Sequence, residues 1–271
     1  MKDNQDTILY LPGDSQEQIL KSPILKKYVK MGYEVLLLAD PIDEFCFQHL
    51  SEYEKRKVKS ISKDDVSLID NNDEIAKKKL QKLKEMYKPL TDWWKRFLGK
   101  SVEKVNISNK LDEDPLFILT SQYGYSATME KVNRAQALQN QDKAASYMLA
   151  KKTLELNPHH SVMKEMLSKV KASVDGHLDE EVEDLARLMF NMAMLNSGFS
   201  IDEPSDFTSP LQRLINVGFG LERNEPIEEI EIDVEEEEEE KEEVVEEEVE
   251  INPDDLEVEE LSPPEDMHED L

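Results

Sequence analysis

Residues 7–41 read TILYLPGDSQEQILKSPILKKYVKMGYEVLLLADP, and the change of periodicity along them decides the first part of the fold. Thr7 to Leu11 is β-branched and aromatic and stops at Pro12-Gly13, while Tyr33 to Ala39 is a continuous apolar run bounded by Gly32 and Asp40-Pro41. Both predict strands, the second buried on both faces. Between them Ile19, Leu20, Ile24, Leu25, Tyr28, Val29 and Met31 form a helical stripe from Ser15 to Met31 that stops at Gly32. Strand, helix, strand predicts a right-handed βαβ unit.

Working outward, Asp40-Pro41-Ile42-Asp43-Glu44 places a capping acid, a proline at the first helical position and acids in the first turn of a short helix carrying Phe45, Cys46, Phe47 and Leu50. Lys57 to Ile61 is a further strand candidate. A long charged helix from about Asp73 to Leu98 gathers Leu80, Leu83, Met86, Tyr87, Leu90, Trp94 and Phe97 on one side, with Pro89 expected to kink or divide it. Val102 to Ser108 and Pro115 to Thr120 predict strands, and Tyr123-Gly124-Tyr125-Ser126 a turn into a helix capped by Ser126. Asn157-Pro158 opens another helix. Leu178 to Ser197 and roughly Asp206 to Val217 are two amphipathic helices joined by a short loop, each followed by glycine. The apolar face of this hairpin must pack on the preceding domain or on another chain.

Charge is very uneven. Glu222 to Leu271 holds 27 acids against 2 bases, leaving 34 acids and 31 bases in the rest of a chain whose net charge is −28. That composition predicts a near-neutral globular body and a disordered acidic tail, and it disfavours nucleic acid and anionic membrane as partners. The N-terminal MKDNQDTILYLPG lacks the apolar core of a signal peptide, and no apolar run is long enough for a membrane span. One cysteine excludes a disulfide framework. Gly-x-Gly-x-x-Gly and Gly-x-x-x-x-Gly-Lys-Ser/Thr runs are absent. Adjacent His159 and His160 cannot share a helical face, so no metal ligand set is expected. Cys46 with His49 is the one nucleophile and base pair available; Cys46 between two phenylalanines is expected instead to be a small buried hydrophobe, and the chain is expected to hold no catalytic residue. On the helix from Ser126 to Leu138, Met129 and Val132 share a face that either fills the core or offers an adaptable apolar surface.

Ser121 to Leu138, SQYGYSATMEKVNRAQAL, resembles the signature of the heat-shock protein 90 chaperones: a Tyr-Gly-aromatic turn, a Met-Glu pair and an Arg-Ala-Gln-Ala helix. GYEVLLLADPIDEFCFQHL (Gly32 to Leu50), VEKVNISNKL (Val102 to Leu111), AKKTLELNP (Ala150 to Pro158) and LNSGFSIDEP (Leu195 to Pro204) agree in the same order. The resemblance implies an α+β fold: residues 1–99 as the αβα subdomain of the family's middle domain, 100–221 as a C-terminal α+β dimerisation domain ending in a helical hairpin, and 222–271 as the acidic disordered tail. It implies that the hairpin pairs with a second copy through Leu185, Leu188, Met189, Met192, Leu195, Leu211, Leu214 and Ile215, and that Tyr125, Met129 and Val132 meet client proteins.

The family's ATP and Mg would bind upstream, with no nucleotide site in this chain; expected partners are a second copy, clients and co-chaperones. Three departures stand out. Pro210 sits within the last helix, which could instead begin there with Ser209 as cap; Tyr125 replaces Trp; and the cytosolic Met-Glu-Glu-Val-Asp ending is missing. The chain ends with His268, Glu269, Asp270 and Leu271, which resembles the His-Asp-Glu-Leu retrieval signal and points to the endoplasmic reticulum, with the cytoplasm as the alternative. There the tail could hold calcium weakly. The rival function is a scaffold that regulates longer chaperones by forming mixed dimers.

Overall fold

Strand β1 (Thr7–Pro12) pairs in parallel with β2 (Val35–Leu38), Leu9 opposite Val35 and Pro12 opposite Leu38, as a βαβ unit requires. These coordinates come from a computed structural model that describes residues 1, 5–66, 74–122, 124–136, 152–173 and 176–227. The expected single helix between the strands is two, α1 (Gln16–Lys21) and α2 (Pro23–Lys30). Pro23 starts α2 and holds Ser22 extended, at φ −61 and ψ 128, because a residue before proline is pushed out of the helical region. Ser15 caps α1 by accepting from the Gln18 amide at 3.2 Å.

β2 is not buried on both faces. The first sheet runs β2-β1-β4-β3, so β2 is an edge strand, and Leu36 is 48% exposed. Leu9, Leu11, Ile19, Ile24, Leu25 and Tyr28 share one core, with Val35 and Leu37 packed against it. β3 (Glu52–Tyr53) and β4 (Arg56–Ser60) form a hairpin in which Glu54 and Lys55 take φ of +47° and +63°, as a tight hairpin turn requires at both central positions. No glycine marks that turn.

α3 (Pro41–His49) is capped by Asp40, which accepts from Ile42 at 3.1 Å. Its inward side carries Glu44 and Phe47, whose ring lies 5.3 Å from that of Tyr10. Cys46 is exposed, against expectation, because it sits about 200° around the helix from Glu44. α4 (Glu74–Leu98) continues through Pro89 undivided; Glu85 and Pro89 lie on the exposed side, where water can take the carbonyl that proline leaves unpaired.

The second sheet has the order β5-β7-β6: β5 (Lys104–Ile107), β6 (Leu116–Thr120) and, between them, β7 (Lys152–Leu156), parallel to β5 and antiparallel to β6. β7 is a strand that the sequence reading did not foresee. Lys152, Thr153 and Glu155 are all buried in it, and such residues hide a strand from a hydrophobicity pattern. α5 (Ala127–Gln136), α6 (Ser161–Ala172), α7 (Glu180–Asn196) and α8 (Ser205–Gly218) complete the described elements. α6 starts three residues after Pro158, with the His160 ring accepting from Val162 at 3.2 Å as its cap.

β6 faces two cores. Leu116 and Ile118 join Trp93, Trp94, Leu154, Met163 and Phe190, while Phe117 and Leu119 join Leu9, Leu25 and Tyr28. Ser62 O and the Asp64 amide both pair with Thr120, at 3.0 and 2.9 Å, and tie the first sheet to the second. Residues 1–226 accordingly make one compact unit. Most of the expected acidic tail, and its last four residues His268, Glu269, Asp270 and Leu271, lie outside the described residues.

Candidate functional site

The α7–α8 hairpin has two apolar stripes. Ala186, Phe190 and Ala193 of α7 enter the larger core, and Met189 packs against it. On another side Leu185, Met192 and Leu195 are 45%, 50% and 47% exposed, Ile215 of α8 is 41% exposed, and Leu188, Leu211 and Leu214 are half-buried. Leu185, Leu188, Met192 and Leu195 recur at the three- and four-residue intervals that line one helix face. An isolated surface leucine means little, but a row of this length is an unsatisfied packing surface.

Two buried polar devices fix the hairpin. α8 begins at Ser205, so Pro210 lies inside the helix and the alternative start capped by Ser209 is not adopted. Proline cannot donate to the Asp206 carbonyl four residues back; Nδ2 of Asn191, a buried residue of α7, donates to it instead at 3.0 Å. Asp184 is the second device. Its carboxylate accepts from Arg213 at 2.6 and 2.8 Å and from Arg223 at 2.6 and 3.0 Å, and Arg223 also pairs with Glu180. The Asp184 carboxylate raises the Arg213 pKa. One carboxylate of α7 thus holds α8 and the turn that follows it.

Helix α5 supplies the second candidate surface. Ser126 Oγ accepts from the Met129 amide at 3.2 Å and caps it, as expected. Glu130 is buried between Lys152 and Arg134, at 2.8 and 2.7 Å, and Arg134 also pairs with Asp202 in the loop between α7 and α8. Tyr125 and Val132 are half-buried, whereas Met129 is only 8% exposed. A partner reaching this helix therefore meets Tyr125 and Val132, with Met129 packed inside.

Cys46 and His49 do not form a pair: His49 Nδ1 lies 2.9 Å from the Phe45 carbonyl and Cys46 faces outward. Among the described residues no three His, Cys, Asp or Glu side chains are grouped to hold a metal, and no helix is long and apolar enough to cross a membrane.

The sequence profile of the family described as Hsp90 protein matches residues 1–248. The chain belongs to the Hsp90 family. This Hsp90-family chain is 40% identical over 232 residues to an endoplasmin homolog of Hordeum vulgare, covering 85% of the chain and 27% of that protein. It is 38% identical over 225 residues to the putative heat shock protein HSP 90-beta-3 of Homo sapiens, covering 83% and 37%, and 37% identical over 222 residues to an endoplasmin homolog of Arabidopsis thaliana, covering 82% and 26%. The chain thus spans between about a quarter and two-fifths of the length of these curated relatives.

Asn191, Asp184, Arg213 and Arg223 escaped the sequence reading. Pro210 carried the only available signal, since a mid-helix proline demands a substitute donor from somewhere; which residue supplies it depends on how α7 and α8 pack.

Proposed function

We propose that this Hsp90-family chain is the dimerising, client-contacting portion of an ATP-dependent chaperone, with residues 1–99 as the αβα part of the middle domain and 100–221 as the dimerisation domain. The observation that carries the reading is the row Leu185, Met192, Leu195 and Ile215, each between 41% and 50% exposed in a single chain, on a hairpin already anchored to its own core by Ala186, Phe190 and Ala193. A second copy of the same hairpin is the self-complementary partner for such a row, and an obligate contact of this kind buries roughly 2,000 Å² or more. Non-native client proteins meet Tyr125 and Val132, and co-chaperones bind the assembled dimer. The endoplasmin names among the relatives favour the endoplasmic reticulum over the cytoplasm. In that compartment the acidic tail would hold calcium weakly, through many carboxylates.

ATP with Mg is the family's cofactor, and this chain's residues do not fit it: its 8 glycines form none of the phosphate-cradling runs.

Sedimentation equilibrium of the chain beside a Met192→Glu, Ile215→Glu variant tests the reading. Both side chains are exposed, so the variant should fold. The expected result is a wild-type dimer that weakens at least about 100-fold in the variant, since two charges from each chain would be buried unpaired at the contact. A wild-type monomer at every concentration overturns it. Dimerisation only with a longer family member would favour the mixed-dimer scaffold.

A further inference from the structure

A buried and a half-buried ionisable group of the first sheet region lie against the turn that leads into α5. Glu44 of α3 is 2% exposed; its carboxylate accepts from Gln48 at 3.1 Å, its Oε2 is buried without a hydrogen-bond partner, and it lies close to Ser126, the residue that caps α5. Lys63 lies in the segment that pairs with the end of β6, and its ammonium donates to the Gly124 carbonyl at 2.5 Å. Lys110, also buried, donates to the carbonyls of Lys63 and Asp64 at 3.3 and 3.4 Å and holds that segment from the other side. Gly124 and Ser126 flank Tyr125, so the candidate client residue is suspended between a carboxylate and an ammonium that both belong to the first sheet's side of the molecule. Charged groups taken out of water cost several kcal/mol each unless their geometry is well satisfied, and neither the hairpin nor the α5 core face uses this pair.

We propose that Glu44 and Lys63 are positioning residues for the client-contacting surface: through Ser126 and Gly124 they set the presentation of Tyr125 and Val132, so that the first sheet controls how α5 meets a client. This rests on the client reading above. Loss of either tie frees the turn while leaving the α7–α8 anchors, Asp184 and Asn191, in place.

The experiment uses the full chain and the variants Lys63→Met, Glu44→Ala and Glu44→Gln. Amide hydrogen exchange over residues 124–132 reads the positioning, and capture of reduced, carboxymethylated α-lactalbumin, a permanently unfolded protein, reads the function. The expected result is exchange over 124–132 faster by about tenfold or more in Lys63→Met and Glu44→Ala, with amides of β5, β7 and α7 unchanged. Glu44→Gln, which keeps the shape of the side chain beside Ser126 and an oxygen for Gln48, should exchange like the wild type, and capture should weaken only in the first two variants. Unchanged exchange over 124–132 in both variants overturns the proposal. Faster exchange with unchanged capture supports the positioning and overturns the client reading. Should Lys63→Met fail to fold, the contrast between Glu44→Ala and Glu44→Gln decides alone.

Discussion

Glu44 stands on the inward side of α3 with its carboxyl desolvated, and burial raises its pKa against the opposing influence of the neighbouring Ser126, of the Gln48 hydrogen bond and of the charge of Lys63. Lys63 is lowered by its own burial, against Glu44, Asp65 and Asp64, and Tyr10 beside them is pushed up to about 12 and stays neutral. A carboxyl whose folded pKa is raised contributes stability that is complete below its ordinary value of 4.5 and is lost as the pH rises through the folded value. Glu44→Gln should therefore gain stability relative to the wild type as the pH is raised from about 4 to 7, read from urea midpoints at each pH. A difference that does not change with pH would mean that Glu44 titrates alike in the folded and unfolded chain. Asn191 makes a different residue-scale prediction. Asn191→Ala leaves the Asp206 carbonyl without the donor that Pro210 cannot supply, and should cost about 1–3 kcal/mol in a urea titration. In an Asn191→Ala, Pro210→Ala double variant the helix recovers its own amide, and most of that loss should return.

At the scale of elements, the α7–α8 hairpin is held as much by polar contacts as by apolar ones. Asp184 is buried and shared by Arg213 and Arg223, both partly exposed, so the cost of removing it is moderated by solvent on the arginine side. Asp184→Ala should destabilise the chain by about 1–3 kcal/mol and weaken dimerisation in the same experiment, because α8 loses its tie to α7. Retained dimer affinity at equal loss of stability would separate the hairpin's internal order from its contact face. The hairpin was legible in sequence from the spacing of Leu185, Leu188, Met192 and Leu195, which is a local property. Its polar anchors were not, since Asp184 and Arg223 are 39 residues apart and are brought together only by the fold. β7 was hidden for a related reason: Lys152 and Glu155 look like surface residues until Glu130 is seen to pair with Lys152.

Over the whole molecule, β6 couples the two cores through alternate side chains. Phe117→Ala removes a large ring from the smaller core on a strand whose neighbours Leu116 and Ile118 support the larger one, and it should cost about 3–5 kcal/mol. Trp93 and Trp94 report the larger core, and far-ultraviolet circular dichroism reports both sheets. The two signals should unfold together, in the wild type and the variant alike. A tryptophan transition that survives loss of the first sheet would show that the two halves fold independently.

The sequence by itself determined most of the local elements and the family: strand and helix periodicities, the Asp40 and Ser126 caps, and the collinear motifs that resemble Hsp90 chaperones. These depend on residues within a few positions of one another, where backbone sterics and side-chain spacing decide. Tertiary structure alone decided that β2 is an edge strand, that Cys46 faces outward while Glu44 faces in, that Met129 is packed, and that Asn191 repairs the gap at Pro210. Each of these turns on which surface another part of the chain covers, and burial reverses the meaning of a side chain: a carboxylate that merely starts a helix in solution becomes, once desolvated beside Lys63 and Ser126, a fixed point of the fold.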